Sequence, residues 1–264
     1  MKAAVAFGLN LVNPEHYQGW GGPLTGCCPD ASSMVAVAGQ RGYDVATSRL
    51  NTYAGPMTAL GHTIPPYRLV MDATAANWIA LHRKYAELAQ PGDCFVFSFS
   101  GHGARRIYVL SATESFCFSE RMMDDAEFKD LMALWPAGVR VLYVLDCCYA
   151  GGMHRNLGFL GRPKTAGLQF SRQPKPDYAP TRAAVRADIA IWAACAAEQV
   201  ALDGQYNGAF TGSLLAMLEQ HPLADVPTLH EHLRGFMRRH FPNQTPQLNF
   251  LGQRQVWAGR PAWT

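Results

Sequence analysis

Apolar positions along this chain form short, nearly unbroken runs that alternate with longer runs at helical spacing. Residues 3–9 and 43–49 read as strands. Residues 93–99, 139–145 and 189–194 are apolar enough to be buried on both faces, as strands of a parallel sheet are. Between them the spacing predicts helices. A short one follows Asp30 through Met34, Val35, Val37 and Ala38. A longer one over 74–89 lines up Trp78, Leu81, Tyr85 and Leu88 and is stopped by Pro91-Gly92. Residues 124–135 place Phe128, Leu131 and Met132 on one face, and 211–218 read as a further helix. A capping pattern of Thr228 and Glu231 starts a last helix through Leu229, Leu233, Phe236 and Met237.

Other stretches break the rhythm. Residues 10–29, rich in Gly, Pro and Asn, read as a loop, and 50–72 read as irregular because Gly61 and Pro65-Pro66 interrupt any regular element. Residues 158–187 hold few large aliphatics but carry Pro163, Pro174, Pro176 and Pro180, the composition of a linker. Repeated strand–helix units predict an α/β fold with a mostly parallel central sheet and helices on both faces. The expected organisation is one domain over 1–264: a larger segment 1–157, the linker 158–187 and a smaller segment 188–264 that shares the same sheet.

Composition adds limits. With 48% hydrophobic and 16% charged residues the chain is an ordinary globular one, and a net charge of +3 gives no reason to expect nucleic acid or an anionic membrane as partner. The seven cysteines are odd in number and include two adjacent pairs. Without a secretory signal pattern they indicate free thiols in a cytoplasmic setting. No apolar run approaches the roughly 18 residues needed to span a bilayer.

Two strand ends carry candidate chemistry. One runs into Ser100-Gly101-His102-Gly103, the other into Asp146-Cys147-Cys148-Tyr149. Side chains two apart on a strand share a direction, so Ser100 goes with His102 and Asp146 with Cys148, while Cys147 and Gly101 face the other way. Functional crevices of parallel sheets lie beyond the carboxyl ends of the strands. A thiol beside an imidazole can attack an acyl carbon, and the adjoining glycines give a carbonyl access to backbone donors. Gly103 N–H and Cys148 N–H are the candidates for the oxyanion. The set Cys147, Cys148, His102 and His154 fits no standard zinc spacing.

These motifs resemble the His and Cys motifs of type I metacaspases and their bacterial relatives, whose Cys motif places the nucleophile at Cys148. The separation, 148 − 102 = 46 residues, agrees with the roughly 50-residue spacing described for caspases. The segment Gly26-Cys27-Cys28-Pro29-Asp30-Ala31 resembles the family's N-terminal segment. Gly208-Ala209-Phe210-Thr211 and Gln244-Thr245-Pro246-Gln247 resemble its small-subunit signatures. The resemblance implies a caspase-like three-layer sandwich and a cysteine endopeptidase acting through a Cys148–His102 dyad. It also implies a pocket of Cys27, Asp30, Ser100 and Asp146 for the residue before the scissile bond. Two carboxylates there suit arginine or lysine, so peptides with basic residues are the expected partners of a monomeric enzyme.

No cofactor is needed for this chemistry. Calcium as an activator would fall to Asp124 and Asp125, although Asp124 with Glu127 equally marks a helix start. Activating cleavage is expected in the linker, at Arg172, Arg182 or Arg186, since Arg162 and Lys175 precede Pro. The competing readings are a catalytically silent caspase-like interaction module, or another peptidase of the same clan. The silent module would lack the His, the Cys or an oxyanion glycine, and all are present.

Overall fold

A computed structural model describes residues 1–48, 58–59, 62–63, 69–108, 111–148, 184–196 and 199–264. Its main sheet contains β1 (Lys2–Gly8), β2 (Asp44–Ser48), β5 (Leu69–Met71), β6 (Cys94–Ser100), β10 (Arg140–Asp146), β11 (Asp188–Ala193) and β12 (Gln247–Leu251). They lie in the order β12-β11-β10-β6-β1-β2-β5. Every pairing is parallel except β12 on β11. Among the described residues five helices cover it: α1 (Cys27–Gln40), α2 (Ala75–Leu88), α3 (Asp125–Ala133), α4 (Ala209–Gln220) and α5 (Val226–His240). Short strands β3 (Thr58–Ala59) and β4 (His62–Thr63) pair with each other. A three-stranded antiparallel sheet of β7 (Gly103–Tyr108), β8 (Ser111–Cys117) and β9 (Met122–Asp124) follows β6.

Strand alternation divides the core into two halves. Val5, Phe7, Phe95, Phe97, Phe99, Tyr143 and Leu145 face one way, against Trp78, Leu81 and Tyr85 of α2 and Phe128 and Leu131 of α3. Ala4, Ala6, Val96, Leu142, Val144 and Trp192 face the other, against Val35 of α1, Leu214 of α4 and Leu233 of α5. Helices on both faces of a mostly parallel sheet are the three-layer arrangement the sequence predicts. β11, beyond the expected linker, pairs with β10, so both segments share the sheet. Of the linker itself only residues 184–187 are described.

Several boundaries differ from the sequence-based expectation. The loop over 10–29 is too long, because a 3-10 turn occupies Pro14–His16 and α1 begins at Cys27. Asp30 therefore lies inside the first turn of α1 and does not cap it. Gly26 is the N-cap, and its N–H donates to Asp203, a partner 177 residues away that no local pattern reveals. The segment 50–72 includes the sheet-edge strand β5, and neither the sheet β7–β9 nor strand β12 is visible in the apolar pattern. The last helix is capped by Asp225, whose carboxylate accepts the Thr228 N–H at 2.8 Å. Pro227 lies in its first turn, where a missing N–H costs nothing.

Candidate active site

Strands β1, β6 and β10 end side by side, and their register sets the site. Gly8 is opposite Ser100, and Ser100 is opposite Asp146. The offset between β6 and β10 is 146 − 100 = 46, the same as 148 − 102. His102 and Cys148 each lie two residues beyond that last pair. The two chain segments come close there, since a Cβ built on Gly103 would lie 1.4 Å from the Cys148 carbonyl oxygen. Only a residue without a side chain allows the two strand ends to approach this far. β1 lies between β2 on one side and β6 on the other, the point where the winding reverses and where α/β crevices open.

The two adjacent cysteines separate as alternation requires. Cys147 packs into the α2/α3 half of the core and Cys148 into the α1/α4/α5 half. Cys148 is fully buried, and its Sγ accepts the Ala201 N–H at 2.8 Å. Burial pushes the thiol well above its ordinary pKa. The neighbouring Cys195 thiol adds to that, and the Ala201 N–H acts in the opposite sense. In this arrangement the thiol is fully buried, and the segment carrying Ala201 lies against it. That segment is held by Gln244, which accepts from Leu202 N–H at 3.1 Å and donates to Ala194 C=O at 3.1 Å. Gln199 holds it too, accepting the Thr245 N–H at 2.7 Å.

His102 is buried, and its Nε2 lies 2.8 Å from the carbonyl oxygen of Gly22. A carbonyl can only accept, so Nε2 carries the proton and Nδ1 is the basic nitrogen. The Trp20 ring packs on the imidazole with centroids 4.7 Å apart. Gly22 has φ +53°, and a Cβ there would strike both Trp20 and His102. The turn from Trp20 to Gly22 thus wraps the ring, a role hidden in the sequence because residues 10–29 look like plain loop.

The four residues expected to form a pocket come from the first turn of α1 (Cys27 and Asp30) and from two adjoining strand ends (Ser100 and Asp146). The Cys27 carbonyl sits over Gly8, where an added Cβ would lie 2.1 Å from its oxygen. Asp30 Oδ2 accepts the Ser100 hydroxyl at 2.6 Å, and Asp146 is the strand neighbour of Ser100. All four are buried. The start of α1 is fixed by residues the sequence did not single out. Asn10 accepts the Cys28 N–H at 2.9 Å, and Asp203 accepts N–H bonds from Thr25 at 2.7 Å and Gly26 at 2.9 Å.

The acidic residues considered for calcium are distributed differently. Asp124 is buried at the N-cap of α3, and Asp125 Oδ1 accepts the Ala126 N–H. Glu120 accepts N–H groups at the start of α2, and Glu127 is paired with Arg121. Among the described residues no group of three or more His, Cys, Asp or Glu side chains converges on a point. Calcium takes roughly six to eight oxygens, more than Asp124 and Asp125 supply by themselves. Arg186 is exposed, whereas Arg172, Arg182 and His154 lie outside the described residues. No helix among those residues is long and apolar enough to cross a membrane.

Comparison with known proteins agrees with this geometry. The family model for the caspase domain, a peptidase family, matches residues 8–256. The chain belongs to the caspase-domain family. It is a metacaspase-like cysteine-type endopeptidase within it. Metacaspase-2 of Trypanosoma brucei brucei is 26% identical over 254 residues, covering 89% of this chain and 70% of that protein. A second protein of that organism, named inactive metacaspase-4, is 26% identical over 92% of this chain and 69% of its own length. Among solved structures, protein GSU0716 from Geobacter sulfurreducens superposes with a TM-score of 0.77. It has 28% identity and covers 98% of this chain and 97% of its own.

Proposed function

We propose that this caspase-domain protein hydrolyses peptide bonds after arginine or lysine, with Cys148 as nucleophile and His102 as base. The observation that supports the reading is the register of β6 and β10, with Ser100 opposite Asp146 and His102 and Cys148 each two residues further on. His102 Nδ1 takes the thiol proton, and the sulfur attacks the substrate carbonyl carbon. Gly103 and Cys148 N–H groups receive the oxyanion. Collapse expels the amine, which takes the proton from the imidazolium. Water then releases the acyl group from sulfur and restores the thiol. Asp30 and Asp146 supply negative charge for a guanidinium or ammonium on the residue before the cleaved bond and disfavour an acidic one.

Because Cys148 is covered by the segment around Ala201, activity requires a trigger that opens it. Cleavage in the linker at Arg172, Arg182 or Arg186 is the trigger this reading assigns. Calcium rests on Asp124 and Asp125 alone. One assay tests this reading. Fluorogenic peptides ending in Arg, Lys or Asp are offered to wild type and Cys148→Ala, with and without calcium, and the chains are weighed by intact-mass analysis. Cleavage of Arg and Lys peptides, lost in the variant, supports the proposal. Asp peptides cut at comparable rates refute the pocket, and no cleavage by a processed wild-type chain refutes processing as the trigger.

A further inference from the structure

The proposed pocket has an electrostatic problem. Asp30 and Asp146 are both buried and flank the same residue, Ser100, with Asp30 taking its hydroxyl and Asp146 one strand away. Two carboxylates in one recess repel, and each buried one needs hydrogen-bond donors to stay in place.

The compensation comes from a short stretch at the start of α4. Asp30 Oδ1 accepts the Asn207 side-chain amide at 3.0 Å and the Gly208 N–H at 2.9 Å. Asp146 Oδ2 accepts the Thr211 N–H at 3.1 Å and the Thr211 hydroxyl at 2.7 Å. All four donors lie within residues 207–211, around the N-cap Gly208 of a 12-residue helix. The first N–H groups of a helix lack internal partners, and its N-terminus carries a partial positive charge, so both effects favour anionic carboxylates there. The approach to α4 is itself fastened to α1. Asp203 holds Thr25 and Gly26, the Gly204 carbonyl accepts the Thr25 hydroxyl at 2.9 Å, and Asn207 also reaches Ser33 Oγ at 3.3 Å. Residues 203–211 therefore bridge α1, which supplies Asp30, to the strand end that supplies Asp146.

We infer that Asn207 and Thr211 are positioning residues for substrate selection, holding the carboxylates of Asp30 and Asp146 in place for a basic side chain. This rests on the Arg/Lys reading above. Their hydrogen bonds go to Asp30, Ser33 and Asp146, not to the thiol or the imidazole, so their loss falls on binding of the basic residue and leaves the chemical step.

The test measures kcat and KM on Arg and Lys peptides for the wild-type chain, Asn207→Ala, Thr211→Val and Thr211→Ser. Asn207→Ala and Thr211→Val are expected to raise KM about tenfold or more, the loss typical of a hydrogen bond to a charged group. In both, kcat stays within about twofold. Thr211→Ser, which keeps the hydroxyl, stays close to wild type. A merely structural role would not raise KM alone or be rescued this way. Should Thr211→Val fail to fold, Asn207→Ala at its half-buried position carries the test. Wild-type KM in a variant of an Arg/Lys-cleaving enzyme overturns this inference alone. A wild type that does not prefer Arg and Lys overturns the pocket reading and the inference together.

Discussion

Replacing Gly103 by Ala places a methyl carbon 1.4 Å from the Cys148 carbonyl oxygen, 2.5 Å from its carbon and 3.3 Å from its nitrogen. Comfortable contact lies near 3.5 Å, so the oxygen and the new carbon must separate by about 2 Å. The obstructing atoms are backbone, and no rotamer change can relieve them. Overpacking usually costs about 1–3 kcal/mol and more where nothing can give, which sets about 3 kcal/mol as the floor here. For a chain of this size that lowers Tm by about 6–12 °C. The displacement also separates the strand ends that hold His102 and Cys148. A misplacement of about 1 Å can cost 100-fold in rate, so kcat/KM on an Arg peptide falls at least that far. Gly101→Ala is the control. Its Cβ meets the Phe99 ring tip at 3.1 and 3.2 Å and Leu9 Cβ at 3.6 Å, contacts a ring can ease. It is expected to stay within about 1 kcal/mol of wild type. Differential scanning calorimetry and peptide hydrolysis measure both quantities. A Gly103→Ala protein with wild-type Tm and kcat/KM would refute the close approach of the two strand ends.

Other consequences are separate. His82 is buried among Trp78, Phe97 and Tyr143, with Nδ1 2.8 Å from the Trp78 carbonyl and Nε2 3.1 Å from the Tyr143 hydroxyl, and burial holds its pKa down at about 3. The neutral ring contributes stability above the unfolded pKa near 6.5 that is lost as pH falls toward 3, on the order of 5 kcal/mol in all. His82→Gln is expected to flatten Tm against pH across that window, and an unchanged slope would contradict the assignment. Cys148 in the resting chain is expected to react with iodoacetamide at pH 8 at least about tenfold more slowly than in denaturant, because burial raises its pKa. A labelling profile half-complete at or below about pH 8.5 would mean that the thiol is not covered.

Strand runs and helix faces are legible in the sequence because each is a local property of the chain. Residues 139–145 read as the strongest strand of the chain, and β10 is buried from Val141 to Asp146. Alternation by two residues separates Cys148 from Cys147 on sequence grounds alone, and the two do fall into opposite halves of the core. The features that the pattern hides depend on distant partners. The start of α1 is fixed by Asp203 and Asn10, whose identities say nothing locally about a helix at residue 27. β12 is a half-buried edge strand without a strong apolar run, and it exists because β11 offers an open edge. The Trp20–Gly22 turn around His102 and the hold of Asn207 and Thr211 on the two carboxylates arise only when segments distant in the chain meet. Thr211 is visible as part of a signature, but its bond to Asp146 is not.

The central claim is that Cys148, at the end of β10, is the nucleophile of a site that accepts basic residues. Its most direct test is covalent capture. The activated full-length chain is treated with peptidyl chloromethyl ketones ending in Arg, Lys or Asp, digested, and mapped by tandem mass spectrometry. The account predicts one adduct per chain from the Arg and Lys reagents, on Cys148, absent from Cys148→Ala and kept in Cys147→Ala. An adduct on Cys147 or on another cysteine, or labelling by the Asp reagent in preference to the basic ones, would contradict it.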